Sequence, residues 1–91
     1  MIIWSAAAAS QLEELDWYLL ERNPDAADDA IYRIHAAIGT LREFPEMGRP
    51  GRVPGTRELV ISGTPYLAIY KIMRQDISIV ALLHGAQKWP R

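Results

Sequence analysis

Cysteine is absent from the chain, which removes disulfides, thiolate zinc sites and thiol nucleophiles together. No window approaches the roughly 18 uninterrupted apolar residues that a spanning helix requires, so no membrane segment is expected. The amino terminus also lacks the basic start and long apolar core of a secretory signal, and a cytoplasmic location is the default expectation. Histidine is scarce: His35 and His84 are the two present. They do not stand at metal-ligand spacing, and no metal is expected. The glycines between Gly48 and Gly55 alternate with prolines, which lack the N–H donors that a phosphate-cradling loop supplies. Nucleotide and metal cofactors are therefore not expected.

What is present suits one globular domain over residues 1–91, enough chain for a single modest core. The net charge of −1 conceals an uneven distribution. Residues 1–40 hold seven acids and two bases, whereas residues 41–91 hold eight bases and four acids. An anionic partner would meet the second half.

Ile2, Ile3 and Trp4 suit a short strand, and Ser5 after them suits a helix N-cap. From Ala6 to about Arg22, Ala8, Leu12, Leu15 and Leu19 recur at helical spacing, with the acids elsewhere. Asn23-Pro24 ends this helix and starts another, because asparagine serves either a left-handed terminus or an N-cap and proline suits the first helical position. The second helix, about Pro24 to Glu43, carries the stripe Ala27, Ile31, Ile34, Ile38 and Leu41. A junction this tight makes the two an antiparallel hairpin. Three prolines and three glycines between Phe44 and Gly55 forbid regular structure there, and Phe44, Met47 and Val53 are the expected anchors of this loop.

Strands follow at Arg57–Ser62, Tyr66–Met73 and Ile77–Leu83, separated by Gly63-Thr64-Pro65 and Arg74-Gln75-Asp76. Tyr66–Met73 is apolar on both faces, as a central strand packed from above and below requires. Tyr66 and Tyr70 share one of those faces, where core packing is their expected role. The architecture is α+β: an amino-terminal strand, an antiparallel helical hairpin, then a three-stranded antiparallel meander, with the helices on one sheet face. Trp89, in the tail, either docks back onto the sheet or faces a partner.

The order of these elements, together with Trp4-Ser5, Glu21-Arg22-Asn23-Pro24, Phe44-Pro45, Met47-Gly48-Arg49-Pro50-Gly51, Arg57-Glu58-Leu59, Tyr66 to Tyr70 and Leu83-His84-Gly85, resembles the RelE/ParE superfamily of type II toxin-antitoxin toxins. The likeness spans nearly the whole chain and is strongest to the ParE branch. It implies a toxin held inactive by a cognate antitoxin whose carboxyl-terminal segment wraps the toxin as helix and strand. Trp17, Tyr18, Leu20 and Met73 are the candidate antitoxin contacts, being apolar residues that a core of this size does not obviously consume.

Two activities are implied by the superfamily. RelE-like members resemble ribosome-dependent messenger ribonucleases, which need cations to stabilise a phosphorane. Their arginine after the first tyrosine of the central strand is replaced here by Leu67. Arg57, Lys71, Arg74 and His84 remain as candidate catalytic groups. ParE-like members resemble inhibitors that bind DNA gyrase and trap it on cleaved DNA. On that reading Arg49, Arg52, Arg57, Lys88, Trp89 and Arg91 are the candidate target contacts. The missing arginine ranks the gyrase inhibitor first, the ribonuclease second, and a non-toxic member that binds only its antitoxin third.

Overall fold

A computed structural model of the chain describes residues 1–85, Gln87 and Trp89. The elements are β1 (Ile2–Trp4), α1 (Ala6–Arg22), α2 (Pro24–Gly39), a 3-10 turn (Thr40–Arg42), β2 (Arg49–Pro50), β3 (Arg57–Val60), β4 (Tyr66–Met73) and β5 (Asp76–His84). The strands form one five-stranded sheet in the order β1-β5-β4-β3-β2. β3, β4 and β5 are the expected antiparallel meander. β1 lies parallel to β5, with Ile2 opposite Ile77 and Trp4 opposite Ile79. β4 is the middle strand.

Local chemistry accounts for the helix boundaries. Ser5 is extended and its hydroxyl accepts from the Ala8 N–H at 3.0 Å while donating to the Val80 carbonyl at 3.0 Å. Its own N–H donates to the Ile79 carbonyl at 2.9 Å, so one residue caps α1 and ties it to β5. Ser5→Ala is expected to cost about 2 kcal/mol, the upper part of the N-cap range, because the Val80 carbonyl loses its donor as well. A urea midpoint series would read this, with Ser5→Asn recovering part of the loss. Asn23 is likewise extended, not left-handed, and its side chain accepts from the Ala26 N–H at 3.2 Å. α2 stops at Gly39, short of the expected Glu43. There the Thr40 hydroxyl donates to the Ala37 carbonyl at 2.6 Å, and the chain tightens into the 3-10 turn.

Both helices pack on one face of the sheet. The main core joins Ala8 of α1 and Ile34 and Ile38 of α2 to Leu41, Leu59, Ala68, Tyr70, Ile77, Ile79 and Leu82. β5 changes parity within this core. Ile69 pairs with Ala81 but Tyr70 with Ile79, leaving Val80 as an extra residue in a bulge. Ile77 and Ile79 consequently face the helices before the bulge and Leu82 after it, while Ala81 and Leu83 turn to the other face. There they bury Ile69, with Leu67, Val80 and Trp89 packed around them. Among the described residues no helix is long and apolar enough to cross a membrane.

Four expectations need correction. The Pro/Gly-rich segment contains strand β2, whose Arg49 pairs with Glu58 and Pro50 with Arg57. Phe44 and Met47 do not anchor that segment: they are 60% and 51% exposed. β3 ends at Val60, because the Thr64 N–H and hydroxyl both bind the Ile61 carbonyl and fold the chain into the turn. Finally, β4 is buried on both faces only as far as Tyr70. Lys71, Ile72 and Met73 are exposed, beyond the cover of the helices.

Candidate functional site

The basic half of the chain is built around a clamp on the segment from Pro45 to Arg52. Tyr70 is fully buried on β4, and its hydroxyl donates to the Pro45 carbonyl at 2.7 Å and accepts from the Gly48 N–H at 2.9 Å. Arg57, at the start of β3, donates through Nη1 to the carbonyls of Gly48 at 2.7 Å and Glu46 at 3.2 Å. Next to it Glu58 is buried at 6% exposure. Its carboxylate accepts from Arg49 Nε at 3.1 Å, lies 3.0 Å from Arg49 Nη2, and takes the Arg52 backbone N–H at 3.4 Å. A buried carboxylate requires such a partner, and β2 delivers it.

Arg57 and Arg49 therefore brace the loop, although the Arg49 side chain is also 59% exposed and can present one edge to solvent. Arg57 and Glu58 do not pair with each other. Sequence reasoning did not single out Glu58, an acid between Arg57 and Leu59, because its partners at Arg49 and Arg52 reach it only through the pairing of β2 with β3. It also assigned Tyr70 a packing role only, without the clamp made by its hydroxyl.

The other candidate catalytic groups are dispersed. His84 ends β5 opposite Tyr66, the two rings edge-on with centroids 6.0 Å apart. Burial, then the neighbouring Tyr18 phenol, pushes the Tyr66 hydroxyl above its ordinary ionisation range. Arg74 stands at the opposite end, in the turn joining β4 to β5. Eight residues of strand separate it from Tyr66, roughly 26 Å at about 3.3 Å per residue. Arg57 shares the helix-side face with its partner Tyr70, and Lys71 projects from the other face. Leu67 sits beside Ile69, Ala81 and Leu83 in the second apolar cluster. Arg57, Lys71, Arg74 and His84 are thus not gathered around one point.

The apolar candidates divide in the same way. Trp17 is 62% exposed on α1, with Tyr18 and Leu20 also exposed beside it. The Tyr18 ring lies 3.6 Å from the Arg22 guanidinium carbon, which covers one of its faces. Tyr18 neighbours Tyr66, whereas Met73 pairs with Asp76 at the far end of β4. Trp17, Tyr18 and Leu20 are all exposed near the end of α1, whereas Met73 lies on a different surface. Trp89 is half-buried against the second apolar cluster, docked on the sheet. Lys88 and Arg91 lie outside the described residues.

Known proteins resemble this chain over most of its length. The family model described as ParE toxin of the type II toxin-antitoxin system parDE matches residues 2–89. Y4kP of Sinorhizobium fredii is 41% identical over 99% of this chain and 93% of its own length. Toxin RelE2 of Caulobacter vibrioides is 30% identical over 94% of this chain and 96% of its own length. Among solved structures, a chain of the chromosomal ParDE toxin-antitoxin system from P. aeruginosa superposes with a TM-score of 0.82. It shares 24% identity and the match covers 91% of this chain and 92% of that one, a likeness of fold. With the family model spanning all but the terminal residues, this chain belongs to the ParE toxin family and is a toxin of a type II toxin-antitoxin system.

Proposed function

We propose that this toxin acts by binding DNA gyrase and does not cut RNA. The observation that carries the reading is the setting of Leu67. Where the ribonucleases of the superfamily are expected to place an arginine, this strand has an aliphatic side chain packed among Ile69, Val80, Ala81, Leu83 and Trp89. A phosphorane at that point would meet hydrocarbon, and the loss of one preorganised cationic donor costs about 3 to 4 kcal/mol of transition-state stabilisation. Further support comes from Arg57, which the loop carbonyls hold on the opposite sheet face, and from Arg74, which stands at the far end of β4. The exposed cations Arg49 and Arg52 remain as contacts for a target, together with Lys88 and Arg91 of the tail.

A supercoiling assay with purified gyrase tests this. Relaxed plasmid should remain relaxed as toxin is added, and linear, protein-linked DNA should accumulate. Unimpeded supercoiling combined with cleavage of ribosome-bound transcripts would overturn the reading in favour of the ribonuclease. Absence of growth arrest on expression would point to the non-toxic alternative.

The family carries an antitoxin partner with it. Its seat on this chain is proposed to be the exposed side of α1 at Trp17, Tyr18 and Leu20, where an amphipathic helix finds large exposed apolar side chains.

A further inference from the structure

The turn between β4 and β5 holds Arg74 at φ 57°, in the left-handed region. That conformation is disfavoured for any residue with a Cβ, and glycine or asparagine is its ordinary occupant. Among the described residues Arg74 joins no ion pair and its side chain makes no hydrogen bond, and the same holds for Arg42. The two guanidinium-bearing residues meet at one place. They line a hollow of about 300 Å³ between β1, the 3-10 turn and the β4–β5 hairpin, with Ile2, Leu41, Ile72 and Ile77 among its apolar walls. Asp76, the acid of the hairpin, is ion-paired with the terminal amine of Met1 at 3.2 Å. Glu43 and Glu46 line the adjoining hollow, not this one. At the rim the Met1 side chain is exposed.

We propose that this hollow and its rim form a docking surface for an acidic polypeptide segment, which sinks an aliphatic side chain among Ile2, Leu41 and Ile72 and sets carboxylates against Arg42 and Arg74. The charge balance selects the partner: two uncommitted guanidinium groups flank an aliphatic floor, and their planar forks match carboxylates. A nucleic-acid strand fits less well. Its lining residues include no aromatic ring on which a base could stack. Seven residues of β4, roughly 23 Å, separate Met73 from the Tyr66 end where α1 exposes Trp17. The hollow is therefore a different surface from the side of α1 that carries Trp17.

The test is a nuclear magnetic resonance titration of the full chain with a capped peptide, acetyl-Glu-Asp-Leu-Asp-Glu-amide. Amide shifts are expected at Ile2, Arg42, Ile72, Arg74 and Gln75. Arg74→Gly should weaken binding about fivefold, the worth of one exposed charged contact. Its thermal midpoint should hold or rise, since glycine relieves the left-handed conformation. Arg42→Gln should weaken binding similarly. A lysine-for-acid version of the peptide should leave the amides unmoved. The proposal is overturned if the acidic peptide shifts other residues or none, or if Arg74→Gly binds as tightly as the parent. A stronger response of the same amides to oligothymidylate would overturn it too, since the surface would then read phosphate.

Discussion

Gly48→Ala is expected to lower the free energy of unfolding by about 3 kcal/mol and the thermal midpoint by roughly 12 °C or more. A Cβ on Gly48 would stand 2.7 Å from the Cε1 and hydroxyl oxygen of Tyr70 and 2.9 Å from the Glu58 carbonyl oxygen. Neither neighbour can give way. Tyr70 is fully buried in the middle strand, and the Glu58 carbonyl belongs to β3, held between β2 and β4. The glycine is needed here for space and not for conformation, because its φ is not among the positive ones. Relief requires the loop to lift away. That breaks the Gly48 N–H bond to the Tyr70 hydroxyl and strips Arg57 of the nearer of its two carbonyl partners, adding about 1 kcal/mol for each bond left unmade.

Gly55→Ala separates the two reasons a glycine can matter. Gly55 has φ 86° with nothing within 4 Å of the added Cβ, so its cost is conformational alone, about 1 kcal/mol. Chemical denaturation of the two variants checks the contrast. Equal midpoints would mean that the Tyr70 clamp contributes little to holding the loop.

The same clamp marks the boundary of what the sequence could convey. Ser5 and Asn23-Pro24 are legible because capping is settled within three or four residues, and both helix starts fall where those residues put them. β4 is legible as the middle strand because its apolar run at Tyr66–Tyr70 exceeds what a strand covered on one face needs. β2 is not, since a strand of two residues that includes a proline exists only through its partners on β3. Hydrophobicity nominated Phe44 and Met47 as anchors of the loop, whereas polar groups distant in sequence do that work: the Tyr70 hydroxyl and the Arg57 guanidinium. The candidate site is opaque for a related reason. Arg57, Lys71, Arg74 and His84 could be named one by one, but whether they converge depends on strand register and on which sheet face each occupies. Register also explains why Met73 was grouped with Trp17. Both are large and apolar, and only the pairing of Tyr66 with His84 and of Met73 with Asp76 puts them at different ends.

Trp17→Ala is expected to weaken the complex with the antitoxin about a hundredfold while leaving the toxin's own stability within about 0.5 kcal/mol. The stability half follows from exposure. Trp17 is 62% exposed, so its removal leaves no cavity, and alanine is the better helix former. The affinity half follows from its surroundings. Leu20 lies one turn on along the same side, so two large exposed apolar side chains neighbour each other there. Glu13 and Glu21 stand a turn before and a turn after on the same side. A partner helix that offers aliphatic residues flanked by lysine or arginine would bury the indole at its centre, where aromatic truncations are most costly.

Tyr32 provides the control. It is 72% exposed on α2, more than Trp17, but its helical neighbours at three and four residues are Asp28, Asp29, His35 and Ala36. It stands alone, and Tyr32→Ala should change affinity by less than about threefold. Titration calorimetry of each variant with the antitoxin reads these differences. Co-expression reads their consequence: Trp17→Ala should still arrest growth but escape rescue. If Trp17→Ala binds within about threefold of the parent chain, or Tyr32→Ala loses as much, then exposure on α1 reflects nothing more than a solvated helix and the antitoxin is seated elsewhere.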